Sequence, residues 1–245
     1  MSIPIPGSPN MPFPSPASPA PLPTIGVHKP RLLDLFCKQG GAGMGYYRAG
    51  FDVVGVDVEP QPRYPFEFHQ AEALAFLDDH ASEFDAYHAS PPCQLYTLAH
   101  RLRARTHPDL IGPVRDAFLR LAGAKPWVIE NVPGAPLRNP VMLCGTMFEG
   151  LRVYRHRIFE SNIVLRQPEH PRHTAPLRKM GRPPEPGEFM HVVGNFSGVS
   201  QARQAMGIDW MSRDGLREAI PPAFTRSIGK HLLDHAAFGQ AVSGA

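Results

Sequence analysis

Cysteine is scarce in this 245-residue chain: Cys37, Cys93 and Cys144 are the only three, far apart and with no C-x-x-C pair. So sparse and odd-numbered a set argues against a disulfide framework and against a zinc site, and it fits a reducing compartment such as the cytoplasm. One thiol is left open to a chemical role. Long apolar runs are also missing. No stretch reaches the roughly 18 residues a membrane helix needs, so no membrane partner is expected. The N-terminus has no basic segment followed by an apolar one, as a secretory signal would. No collagen period, heptad or 20–50-residue repeat is present.

Proline and glycine are abundant instead, 29 and 22 residues. The proline excess is local. Residues 1–30 hold ten of the prolines, and their only charged side chain is Lys29. This segment reads as a disordered, polyproline-like tail with little to bury. The rest of the chain is long enough for one domain of ordinary size. The net charge of +3 is unevenly spread. Residues 1–151 carry 12 Lys/Arg against 14 Asp/Glu, whereas residues 152–245 carry 13 against 8. Eight of those basic residues fall within 152–182. A basic half joined to a neutral half points to a polyanion such as nucleic acid.

From Arg31 onward, β-branched and apolar runs alternate with helical stretches. Strands are predicted at 31–36, 51–58, 84–89 and 127–131, and helices at 42–49, 72–79 and 109–123. This spacing argues for βαβ units and a parallel sheet with helices on both faces. Ligands of such sheets bind at the carboxyl ends of the strands. The residues that stand out lie there. A Gly-containing turn, Cys37-Lys38-Gln39-Gly40-Gly41, comes after the first strand and suits close approach to a ligand. Asp57 ends the second strand, where a ribose hydroxyl pair is commonly held. Glu72 comes after the next connection. Ser90-Pro91-Pro92-Cys93-Gln94 succeeds the third strand, and its two prolines fix the backbone ahead of a candidate nucleophile. Glu130 ends the fourth strand, where a buried carboxyl must be paired, hydrogen-bonded or protonated. Arg155 and Arg157 alternate on a strand-like run and are expected on one face.

Taken together, DLF…GG with AGF (34–51), PPCQ (91–94), ENV (130–132), RHRIF (155–159) and AIPPAFTRSIG (219–229) resemble, in order, motifs of the cytosine carbon-5 DNA methyltransferase family, especially small bacteriophage and prophage forms. The resemblance spans roughly residues 31–236. It implies an α/β fold: a Rossmann-like S-adenosylmethionine-dependent methyltransferase sheet with a small, irregular target-recognition region. The expected division is a tail (1–30), a catalytic and cofactor-binding domain (31–157), a basic target-recognition region (158–200), and a C-terminal segment returning to the catalytic domain (201–245).

The resemblance also implies site roles. Cys93 would add to cytosine carbon 6, Glu130 would bond ring nitrogen 3 and the amine, Arg157 the ring carbonyl, and Arg155 would orient the Cys93 loop. The cofactor S-adenosylmethionine would meet Phe36, Lys38, Gly40, Gly41, Asp57, Glu72 and Pro91. Double-stranded DNA, its cytosine flipped out, would meet Gln94, Arg166, Arg172, Arg178, Lys179 and Arg182. Those basic residues would mainly contact phosphate, so a short or relaxed target is expected. A monomer is expected.

Lys38 stands where the family usually has glycine. It would intrude on the methionine part of the pocket, salt-bridge the methionine carboxylate, or select a carboxylated S-adenosylmethionine. Arg217-Glu218 stand where Gly-Asn is usual. Other readings are a tRNA cytosine-5 methyltransferase, an amino-nitrogen methyltransferase and a catalytically inactive DNA-binding homologue. His170-x-x-His173 has a metal-like spacing, but its flanking prolines and lack of partner ligands read as solvated loop residues, and no metal is expected.

Overall fold

Apolar side chains at every second residue build the sheet. In the computed structural model, which describes residues 29–92, 109–178, 182 and 184–243, β1 (Arg31–Leu35) sends Leu33 and Leu35 to one face and Leu32 and Asp34 to the other. Val54 and Val56 of β2 (Asp52–Asp57), Tyr87 and Ala89 of β4 (Ala86–Ala89) and Ile129 of β5 (Trp127–Asn131) share the first face. There they pack against Leu77 of α2 (Ala73–His80) and Val114 and Phe118 of α3 (Ile111–Leu121). The opposite face packs Leu32, Val53, Ala86 and Val128 against Tyr46 of α1 (Gly41–Ala49) and Phe224, Ile228 and Leu232 of α6 (Pro222–Ser243). The helices and strands predicted for 31–131 all form, within two residues at each end.

Three further strands have weak signals in the sequence. β3 (Glu67–Gln70) is a mostly exposed edge strand without an apolar run. β6 (Val141–Leu143) is three residues long, and β7 is Arg157–Ser161. The order is β3-β2-β1-β4-β5-β7-β6. β7 runs antiparallel to both β5 and β6, so the sheet is mixed rather than wholly parallel. β7 also carries the sheet four residues beyond the expected boundary at 157. A buried ion pair, Arg115 Nε to Glu160 Oε1 at 2.6 Å, fastens α3 to β7.

After β7, the described residues of 162–198 form no helix and no strand, only two bridges, Val153 with Met190 and Leu177 with Phe189. Met190, Val192 and Phe196 then share a satellite core with α4 (Val199–Met206) and α5 (Arg213–Glu218). The chain returns to the sheet through α6, which lies on α1 where Gly45 lets the backbones approach; the Thr225 hydroxyl donates to the Ala42 carbonyl at 2.8 Å.

Candidate active site

Succession along the chain reverses direction between β1 and β4, which opens a crevice at their carboxyl ends. A cavity of about 440 Å3 lies there, lined by Asp34, Phe36, Lys38, Gly41, Asp57, Glu72, Pro91, Glu130 and Arg157 among others. The sheet face toward α1 turns polar at this level. Each strand has an apolar residue and then a polar or small one two positions on: Leu32 then Asp34, Val53 then Gly55, Ala86 then His88, Val128 then Glu130.

Of the cofactor-side residues expected from the sequence, Phe36, Lys38, Gly41, Asp57, Glu72 and Pro91 line the cavity, and Gly40 does not. Gly40 stands at φ +80 before α1, with no side-chain cap, and Gly41 begins the helix. Of the first-turn N–H groups, that of Gly43 donates to Asp34, and no N-cap side chain covers those of Gly41 and Ala42. A Cβ on Gly41 would lie 2.6 Å from the Ile220 carbonyl, so the closing segment sits directly on this turn. Gln39 secures it: its carbonyl accepts from Trp210 Nε1 at 2.7 Å and its side chain donates to Ser212 Oγ at 2.9 Å. Asp57 Oδ2 accepts from the Lys38 amide at 3.1 Å and Oδ1 from the Glu59 amide at 3.0 Å. Glu72 is also the N-cap of α2, accepting from the Ala75 amide at 2.7 Å.

Lys38 lines the cavity and is ion-paired at its Asp57 end. Its Nζ is 2.8 Å from Glu59 Oε2 and 3.6 Å from Asp57 Oδ1. The ammonium is thus committed to two protein carboxylates at the Asp57 end. The Lys38 backbone lies at φ +46, a region suited to glycine.

Asp34 was not among the expected site residues. Its side chain is fully buried, Oδ1 has no hydrogen-bond partner, and burial pushes its carboxyl up to about 8. The Asp57 and Glu130 charges add to that rise, while the Gly43 amide and the Tyr64 hydroxyl oppose it. An acid inside an apolar strand, Leu-Leu-Asp-Leu, was the available signal.

The cavity lining also includes Glu130 and Arg157, paired at 2.9 Å (Nε to Oε1) with both side chains largely buried. Burial raises the Glu130 pKa, against the Arg157 charge and a hydrogen bond from Ser90. Ser90 Oγ also meets His88 Nε2 at 2.9 Å, and His88 Nδ1 meets the Tyr46 hydroxyl at 2.9 Å. Burial holds His88 neutral, with its pKa near 3. A hydrogen-bonded chain thus runs from α1 through the sheet to Glu130. Asn131 Nδ2 donates to the Pro91 carbonyl at 3.0 Å and so fixes the start of the loop after β4. Cys93 and Gln94 come next in the chain but lie outside the described residues.

Arg155 and Arg157 do not share a strand, because β7 begins at Arg157. Arg155 donates to the carbonyls of Val192 (3.0 Å) and Arg217 (2.5 Å), bridging the irregular segment and the closing segment. Arg217 and Glu218 line the cavity. Of the expected DNA contacts, Arg166 and Arg172 are exposed. Arg182 is ion-paired with Glu185 and Glu188. Arg178 is a correction: it is only 6% exposed and its Nε donates to the Arg182 carbonyl, so it does not offer its guanidinium to a phosphate. Lys179 lies outside the described residues. His170 and His173 are a second correction. They are not isolated loop residues, but face each other together with His156 and Cys144.

No protein-family model matches the chain, and no curated protein matches it. Solved structures do. An E. coli prophage-encoded protein described as a DNA modification methyltransferase superposes with a TM-score of 0.55 at 14% identity, over 83% of this chain and 98% of its own. The Entamoeba histolytica methyltransferase EhMeth gives 0.56 at 12% identity, over 84% and 98%. The S. pombe Dnmt2 methyltransferase gives 0.50 at 14%, over 84% and 99%. The likeness is one of fold: the chain is an α/β protein with the Rossmann-like sheet of these methyltransferases.

Proposed function

We propose that this chain is a DNA cytosine carbon-5 methyltransferase that uses S-adenosylmethionine, with Cys93 as its nucleophile. The observation that carries this reading is the buried Glu130–Arg157 pair, at the cavity edge where Asn131 holds Pro91, two residues before Cys93. The cavity also suits the cofactor. Asp34 Oδ1 is a buried acceptor without a donor, matched to an ammonium group, and the Gly41 and Ala42 amides at the uncapped start of α1 suit a carboxylate. Phe36 and Val58 offer an apolar flank for an adenine, Asp57 acceptors for ribose hydroxyls, and Glu72 a carboxylate for the adenine amine. S-adenosylmethionine, when bound, supplies an electrophilic methyl group.

The protein's own residues prepare the acceptor. The Cys93 thiolate adds to carbon 6 of a flipped-out cytosine, and the electron pair moves toward carbon 5. A protonated Glu130, favoured by its burial, donates to ring nitrogen 3 and accepts from the exocyclic amine. Arg157 holds the ring carbonyl oxygen as negative charge grows on it. After methylation, carbon 5 gives up its proton and the carbon–sulfur bond breaks, restoring thiolate and ring. In this reading residues 31–157 bind the cofactor and do the chemistry, 158–200 meet the duplex, 201–245 close the cofactor side, and residues 1–30 take no part. The protein acts as a monomer in the cytoplasm of a bacterium or phage-infected host.

Incubation with methyl-labelled S-adenosylmethionine and either unmethylated duplex DNA or tRNA, with nucleoside mass spectrometry of the products, tests this. The expected product is 5-methylcytosine in DNA, with a Cys93-dependent covalent adduct on DNA containing 5-fluorocytosine. Methylation of tRNA alone would overturn the DNA acceptor, and a nitrogen-methylated base would overturn the chemistry. An adduct that survives Cys93→Ser would remove Cys93 from its role.

A further inference from the structure

Outside the lining of the cavity, four side chains from three separate stretches of chain converge. Cys144 Sγ, and one ring nitrogen each from His156, His170 and His173, all lie within 4.8 Å of one another. Cys144 Sγ is 3.3 Å from His173 Nε2, and His156 Nε2 is 3.2 Å from His170 Nε2. A tetrahedral zinc ion with Zn–N near 2.0–2.1 Å and Zn–S near 2.3 Å sets its ligand atoms about 3.3–3.6 Å apart. The two pairs thus have nearly the spacing of edges of a zinc tetrahedron.

We propose that Cys144, His156, His170 and His173 bind one structural zinc ion.

The surroundings fit a metal shell. The Thr146 hydroxyl donates to Cys144 Sγ at 3.2 Å, the kind of partner a metal-bound thiolate takes. The Tyr154 ring stacks on His173, centroids 3.9 Å apart and planes 15° from parallel, while its hydroxyl donates to the Ala175 carbonyl at 2.6 Å. That sets the His173 ring in place. Four protein ligands close the shell, which is the mark of a structural site; a catalytic zinc keeps a position open. One thiolate with three imidazoles favours zinc over magnesium or calcium, which take oxygen ligands.

Such an ion also answers a structural need. The described residues of 162–198 have no helix or strand to hold them. His170 and His173 come from that segment, while Cys144 comes directly after β6 and His156 immediately precedes Arg157. The ion would tie the irregular segment to the sheet next to the arginine that pairs with Glu130.

Metal content tests this independently of any methyl transfer. Tag-free full-length protein should retain one zinc per chain after dialysis, measured by inductively coupled plasma mass spectrometry. Cobalt substituted for zinc should give the intense visible bands of a tetrahedral site and a thiolate charge-transfer band. The charge-transfer band should vanish in Cys144→Ser. His173→Ala, at an exposed ligand, should drop zinc to well below one equivalent while keeping a native circular dichroism spectrum. Folded wild-type protein that holds no zinc and takes none up on reconstitution would overturn the proposal. So would full zinc in the Cys144→Ser, His170→Ala double variant. The cobalt spectrum of the wild-type chain decides the matter even if the variants fail to fold.

Discussion

Asp34 and Lys38 flank the same turn and show how burial sets the meaning of a charge. Lys38 is nearly half exposed and sits between carboxylates, where the cost of its φ +46 backbone is local. Asp34 is sealed off, and its carboxyl is protonated until about pH 8. A cofactor ammonium bound there requires the carboxylate, so binding must expel the proton. Calorimetric titration at about pH 6.5, in buffers of differing ionisation enthalpy, should show nearly one proton released per S-adenosylmethionine bound. Asp34→Asn should abolish that release and weaken binding by about 10- to 100-fold, the loss of one charge-assisted hydrogen bond. Undiminished proton release in the variant would place the cofactor's ammonium elsewhere.

The pairing of α1 with α6 shows the cost of close helix contact. Gly45 faces the Thr225 hydroxyl and the Pro222 carbonyl, and an added Cβ would overlap both. Gly45→Ala should therefore destabilise the fold by about 1–3 kcal/mol, although alanine favours an isolated helix by about 1 kcal/mol. The denaturant midpoint measures the difference, and an unchanged midpoint would mean that the helices part without penalty. The helical pattern at 42–49 was plain in the sequence. The need for glycine at 45 was not, because the crowding atoms lie about 180 residues away.

Over the whole molecule, the buried titratable groups set opposing pH slopes. His88, held near 3 when folded against about 6.5 unfolded, loses stability for the native state as pH falls below 6.5. Asp34, raised from 3.8 to about 8, lowers stability as pH rises across that interval, and Glu130 acts in the same sense above its ordinary range. Between about pH 4 and 6.5 the two largest effects offset each other. From 6.5 to 8 Asp34 acts without that offset, so cofactor-free protein should lose up to about 2 kcal/mol. Urea denaturation across this range should show the fall, and Asp34→Asn should flatten it. His88→Asn should extend the decline downward to about pH 4. A wild-type stability that rises between pH 6.5 and 8 would contradict the buried state of Asp34.

The sequence by itself determined β1, β2, β4, β5 and α1 to α3, because two-residue and helical periodicities and proline punctuation act locally. It did not reveal β3 or β6, which are exposed or short and carry little periodic signal. Tertiary structure alone decided which charges are buried. Arg178 left the set of surface cations, Asp34 entered the cavity, and Lys38 turned to Asp57 and Glu59, 19 and 21 residues on. The same holds for Cys144, His156, His170 and His173. His170-x-x-His173 alone has a metal-like spacing, and only the fold brings Cys144 and His156 to it from other stretches of chain.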